Sequence, residues 1–82
     1  MWYVYIVQCN DSSLYTGITS DVKRRVEEHN KGRGGGYTNS RRPVRLVYTE
    51  QCKNRSEALK RERQINHLPR AKKLTLISDT RN

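Results

Sequence analysis

The sequence predicts a small α/β (α+β) domain, with a mainly antiparallel three-stranded sheet flanked by helices in the order ββαβαα. Three observations carry this. The chain opens on seven aromatic and β-branched residues that read as a strand. A turn-rich cluster follows within ten residues, too soon for a parallel crossover. Two later stretches begin with helix-capping residues. At 82 residues the chain has room for one domain, 1–82 with a core of about 1–78, and with 33% apolar residues and no Phe that core must be thin.

Taken in order, Trp2 to Gln8 is the first strand, with Tyr3 and Tyr5 on one face and Val4 and Ile6 on the other. The Asn10-Asp11-Ser12-Ser13 turn returns the chain through Leu14 to Thr16, and Gly17 is expected to stop that strand. A helix capped at Ser20 or Asp21 runs to about Asn30. Val22 and Val26 mark its inward stripe, and Arg25 and His29 fall on the same stripe. Lys31 to Ser40 holds four of the five glycines and reads as a mobile loop carrying Tyr37. Pro43 to Glu50 is a third strand with Val44, Leu46 and Tyr48 on one face. Asn54-Arg55-Ser56-Glu57 has capping-box spacing and opens a second helix. Pro69 ends that helix and starts another, expected to turn Ala71, Leu74 and Ile77 inward.

Charge narrows the partners. Lys and Arg number 17 against 8 acidic residues, a net charge of +9 that collects polyanions, nucleic acid foremost. Composition alone favours a small RNA-binding protein over an enzyme. Cys9 and Cys52 lie too far apart in the chain for a short metal knuckle. The apolar start is too short to span a bilayer or serve as a signal segment, so a reducing cytoplasm is the expected compartment.

Several residues sit where packing alone would not put them. Glu62 falls inside the apolar stripe Ala58, Leu59, Ile65, where a carboxylate is costly without a cation. A structural salt bridge and a metal ligand both satisfy that need, and the sequence leaves both open. One carboxylate suffices for Mg²⁺, which keeps most of its waters and takes other ligands from substrate phosphate. Arg25 faces the sheet, where its guanidinium fork suits a phosphate oxygen. Lys23 and Arg24 read as a solvated basic face. His29 fits a proton carrier, a phosphate donor or a satisfied half-buried histidine. Tyr3 reads as core, and Tyr37 is placed to stack on nucleic-acid bases.

Together these residues resemble a known family. Tyr3-Val4-Tyr5 and Tyr15-Thr16-Gly17, ten residues apart from Tyr5 to Tyr15, are similar to the paired signature of the GIY-YIG nuclease superfamily. Thr19, Val22, Arg25, Val26 and His29 resemble the family's first helix, and Ala58-Leu59-Lys60-Arg61-Glu62 its second. Tyr37-Thr38, Arg42-Pro43 and Arg70-Ala71-Lys72-Lys73 are most similar to the small single-domain bacterial members. Tyr3 replaces the namesake glycine and Thr16 the isoleucine, and neither change removes a reactive group.

The resemblance implies a divalent-metal-dependent endonuclease acting on DNA, branched or nicked forms included, with weak sequence preference or a protein partner that supplies target choice. It implies Tyr5 as general base, Tyr15 orienting water or phosphate, Arg25 on the scissile phosphate, His29 in proton relay, and Glu62 as ligand of one Mg²⁺ or Mn²⁺. Arg24, Arg33, Tyr37, Arg41, Arg42, Arg61, Arg70, Lys72 and Lys73 are the expected nucleic-acid contacts. A non-catalytic nucleic-acid-binding module that kept the fold is the alternative, and an RNA-associated protein without chemistry a third.

Overall fold

The computed structural model describes residues 1–79. Three strands, β1 (Trp2–Gln8), β2 (Leu14–Thr19) and β3 (Arg45–Cys52), form one sheet in the order β2-β1-β3, antiparallel throughout. The helices are α1 (Val22–Asn30), the single turn α2 (Gly36–Asn39), α3 (Arg55–Asn66) and α4 (Arg70–Asp79). β1 is central because both its faces are apolar. Val4 and Ile6 pack with Ala58 and Ile65 of α3 and Ile77 of α4, while Tyr5 and Val7 pack with Cys9, Val44 and Val26 of α1.

The tight β1–β2 connection follows from its turn chemistry. Cys9 N–H donates to the Ser13 carbonyl at 2.8 Å, the Asp11 carboxylate accepts from Ser13 N–H at 3.0 Å, and Ser12 takes a positive φ of 70°. Both main helix starts are capped as their sequences require. Asp21 accepts from Arg24 N–H at 3.1 Å, and Asn54 from Glu57 N–H at 2.9 Å. Among the described residues no helix is long and apolar enough to cross a membrane.

Five expectations need correction. Gly17 does not stop β2, which continues to Thr19 with Gly17 directly opposite Tyr5. The Lys31 to Ser40 stretch is not all loop, because α2 forms within it and buries Gly34 and Thr38. The third strand starts at Arg45 rather than Pro43. Pro43 has no N–H to pair, and the Asn30 amide takes both backbone groups of Val44, at 2.7 and 2.9 Å. Val44, Leu46 and Tyr48 also do not share a face. A register shift between Ile6 and Val7 inserts Val47, so Val44 and Tyr48 enter opposite core clusters and Leu46 stays 42% exposed. In α4 only Ile77 of the three expected residues points inward. Ala71 and Leu74 are exposed, and Leu76 packs against the core instead.

Candidate active site

Tyr5 is the centre of the site. Strand alternation turns it to the α1 face, away from Val4 and Ile6, and it is 1% exposed. Its ring lies across β2 where Gly17 has no side chain. A Cβ at Gly17 would stand 2.6 Å from the Tyr5 hydroxyl oxygen, so glycine is what admits the ring.

His29 arrives from the last turn of α1, one turn beyond Arg25 on the inward stripe. Its Nε2 is 2.8 Å from the Tyr5 hydroxyl, and its ring is fully buried. The other ring nitrogen, Nδ1, is 2.7 Å from Thr38 Oγ1, on α2. Gly34 lies against the same ring so closely that a Cβ there would overlap Nδ1. The glycine-rich stretch is thus a cover over His29, with glycine where the backbone must approach the imidazole.

Around this pair lie the remaining site residues. Tyr15 meets His29 edge-on at 5.4 Å and stacks with Tyr37 at 5.8 Å, with 28° between those two planes. The Arg41 guanidinium sits 4.1 Å from the Tyr37 ring centre and pairs with Asp11 at 3.1 Å. Arg25 is half-buried beside Tyr5. Its N–H groups reach Glu28 and the Gly34 carbonyl, each at 3.4 Å, and the guanidinium lies near enough to the Tyr5 oxygen to act on it by hydrogen bonding and by charge.

These neighbours set the protonation states. Burial pushes the Tyr5 hydroxyl above its ordinary value of 10.0, partly opposed by Arg25, and the Glu62 charge pushes the same way as burial. Burial, and then Arg25, lowers His29 below 6.5, with Glu28 weakly opposing. At neutral pH both groups are therefore uncharged.

Glu62 is half-buried on α3, close enough for its charge to act on Tyr5. Among the described residues no hydrogen bond or ion pair engages its side chain. The salt-bridge reading of Glu62 therefore finds no partner, and its neighbour Arg61 pairs with Glu50 at 2.9 Å instead. No three His, Cys, Asp or Glu side chains gather into a metal cage among the described residues. A half-buried lone carboxylate suits a hydrated Mg²⁺ or Mn²⁺ better than a metal that demands several protein ligands.

The structure thus brings together Tyr5, Tyr15, Arg25, His29 and Glu62, with Tyr37 and Arg41 at the margin. It does not gather all the expected nucleic-acid contacts. Arg42 donates to the Asn39 carbonyl, Arg61 holds Glu50, and Arg70 donates to the Ser12 carbonyl at 2.8 Å. Arg24, Arg33 and Lys72 are exposed and Lys73 is half-buried. Sequence reasoning missed the supporting roles of Thr38, Gly17 and Gly34. The position of Gly17 opposite Tyr5 was the one available signal, since a hairpin of that length already pairs them.

Known proteins bear on the same constellation. Residues 1–75 match the family model described as the GIY-YIG catalytic domain. A UPF0213 protein of Staphylococcus aureus is 57% identical over 77 residues, spanning 94% of either chain. A UPF0213 protein of Desulfotalea psychrophila is also 57% identical, over 93% of this chain and 70% of its own. The solution NMR structure of a UPF0213 protein from Bacillus halodurans superposes with a TM-score of 0.61 at 47% identity, covering 95% of this chain and 84% of that one.

Proposed function

The chain belongs to the GIY-YIG catalytic-domain family, and from that premise we propose that it is a divalent-metal-dependent endonuclease hydrolysing DNA phosphodiester bonds with weak intrinsic sequence preference. The observation that carries this reading is the buried Tyr5–His29 pair, with Arg25 and an unpaired Glu62 close enough for their charges to act on Tyr5. A module that only bound nucleic acid would keep Tyr5 for its packing, but a carboxylate without a cation would weaken its hold on phosphate.

Each residue then has a task. Arg25 holds a nonbridging oxygen of the scissile phosphate and offsets the charge that develops there. Tyr5 takes the proton of the attacking water. A phenol raised by burial is a reluctant base, so its proton needs a receiver and its oxygen a cation. His29 is bonded to that oxygen and Arg25 lies beside it. Tyr15 fixes the aromatic wall against which water and phosphate are ordered. Glu62 would hold one Mg²⁺ or Mn²⁺, which supplies charge stabilisation to the phosphoryl oxygens. The basic surface holds the flanking backbone, and target choice comes from weak sequence preference or from a protein partner.

The test is incubation of the purified protein with linear, nicked and branched DNA, with Mg²⁺, with Mn²⁺ and with chelator. Metal-dependent cleavage is expected for at least one substrate. Salt-sensitive binding with no cleavage under any of these conditions would replace the nuclease by the binding module.

A further inference from the structure

Tyr5, His29 and Thr38 form one buried chain whose direction follows from counting hydrogens. With His29 neutral the three side chains carry three polar hydrogens and make two bonds, 2.8 and 2.7 Å long. One hydrogen is left over, at the Tyr5 end or at the Thr38 end. Leaving it on Tyr5 would turn an O–H outward on the side where Arg25 lies, and a guanidinium can only donate. Leaving it on Thr38 strands only a neutral hydroxyl hydrogen that is free to rotate, the smaller cost of the two. The charged group decides the direction, so the Tyr5 oxygen turns its lone pair to Arg25 and its hydrogen to His29.

We propose that Thr38 is a positioning residue, whose Oγ1 accepts the Nδ1–H of His29 and so fixes the tautomer that presents a bare Nε2 to the Tyr5 hydroxyl. His29 is then the receiver of the Tyr5 proton, and Thr38 acts through it without touching substrate. Three features of the fold serve this one arrangement. Thr38 is fully buried although polar, α2 exists as a single turn that carries it, and Gly34 removes the side chain that would separate α2 from the imidazole. The logic is that of a base oriented by a third group, here a neutral hydroxyl in place of a carboxylate. The catalytic consequence rests on the nuclease reading. The tautomer does not.

The experiment is nitrogen-detected NMR of the His29 ring in the free protein at neutral pH, for wild type, Thr38→Val and Thr38→Ser. The expected wild-type spectrum has a protonated Nδ1 and an unprotonated Nε2. Thr38→Val should lose that preference, and Thr38→Ser should keep it. On a substrate that wild type cleaves, Thr38→Val should lower kcat on the order of 100-fold with little change in KM, with recovery in Thr38→Ser. A wild-type ring protonated at Nε2, or a tautomer unchanged in Thr38→Val, overturns the proposal. If Thr38→Val does not fold, the wild-type spectrum and Thr38→Ser still decide it. If no DNA is cleaved by wild type, the nuclease reading fails while the ring spectrum still judges Thr38.

Discussion

Glu62 and His29 are buried to different degrees and their variants should behave differently. Glu62 is without a partner among the described residues, so Glu62→Gln strands no cation. Its melting temperature should match or slightly exceed that of wild type, its DNA binding should persist, and cleavage should fall by about two orders of magnitude or more. A thermal melt beside a cleavage assay checks this, and a large loss of stability would return Glu62 to a structural role. His29 is held neutral in the folded chain, with a folded pKa below its ordinary 6.5. The unfolded chain therefore takes up the proton first. Its contribution to stability is complete above pH 6.5 and is lost as pH falls toward and through the folded value. Arg25 and Glu28 are the charged groups acting on the ring. Urea midpoints measured from about pH 7.5 down to about pH 5 should decline, and His29→Gln should flatten that decline.

At the scale of elements, the glycine-rich stretch joins the site to the fold. Its composition gives the backbone little to hold it, which is why the sequence reads as a mobile loop. Yet Gly34 is buried against His29 and Thr38 bonds to it, so the stretch is fixed by what it covers. Gly34→Ala should drive a methyl group into the imidazole and force α1 and α2 apart. We expect a loss of about 1–3 kcal/mol in a denaturant titration, together with loss of the Tyr5–His29 bond. A variant with wild-type stability and an unchanged His29 ring signal would show that α2 does not cap the site. The corresponding sheet element is β2, whose run through Gly17 gives Tyr5 its place.

Across the whole molecule the dominant property is charge. The excess of 17 basic over 8 acidic residues remains even though Arg41, Arg61 and Arg70 are engaged within the fold. If the surface neutralises about five phosphates, binding to duplex DNA should weaken with salt along a log–log slope of about −4 to −5, with little dependence on sequence. Fluorescence anisotropy across a salt series measures the slope, and a flat response would remove backbone phosphate as the main contact.

Sequence by itself determined the elements whose signals are local. A run of β-branched and aromatic residues made β1, Asp21 and Asn54 set helix starts, and the spacing of Val22, Arg25, Val26 and His29 put Arg25 and His29 on one inward face. Tyr5, Tyr15, Arg25, His29 and Glu62 were legible as a set because family spacing and misplaced polarity both mark them. Tertiary structure alone decided the rest. The insertion of Val47 in β3, the inward choice of Leu76 over Leu74, and the pairing of Asn30 with Val44 depend on neighbours distant in sequence. So does the meeting of Thr38 with His29, nine residues apart and on different helices. A threonine gives no periodic signal of its own. Only the closed space around the imidazole, with glycine on one side and a hydroxyl on the other, makes it part of the site.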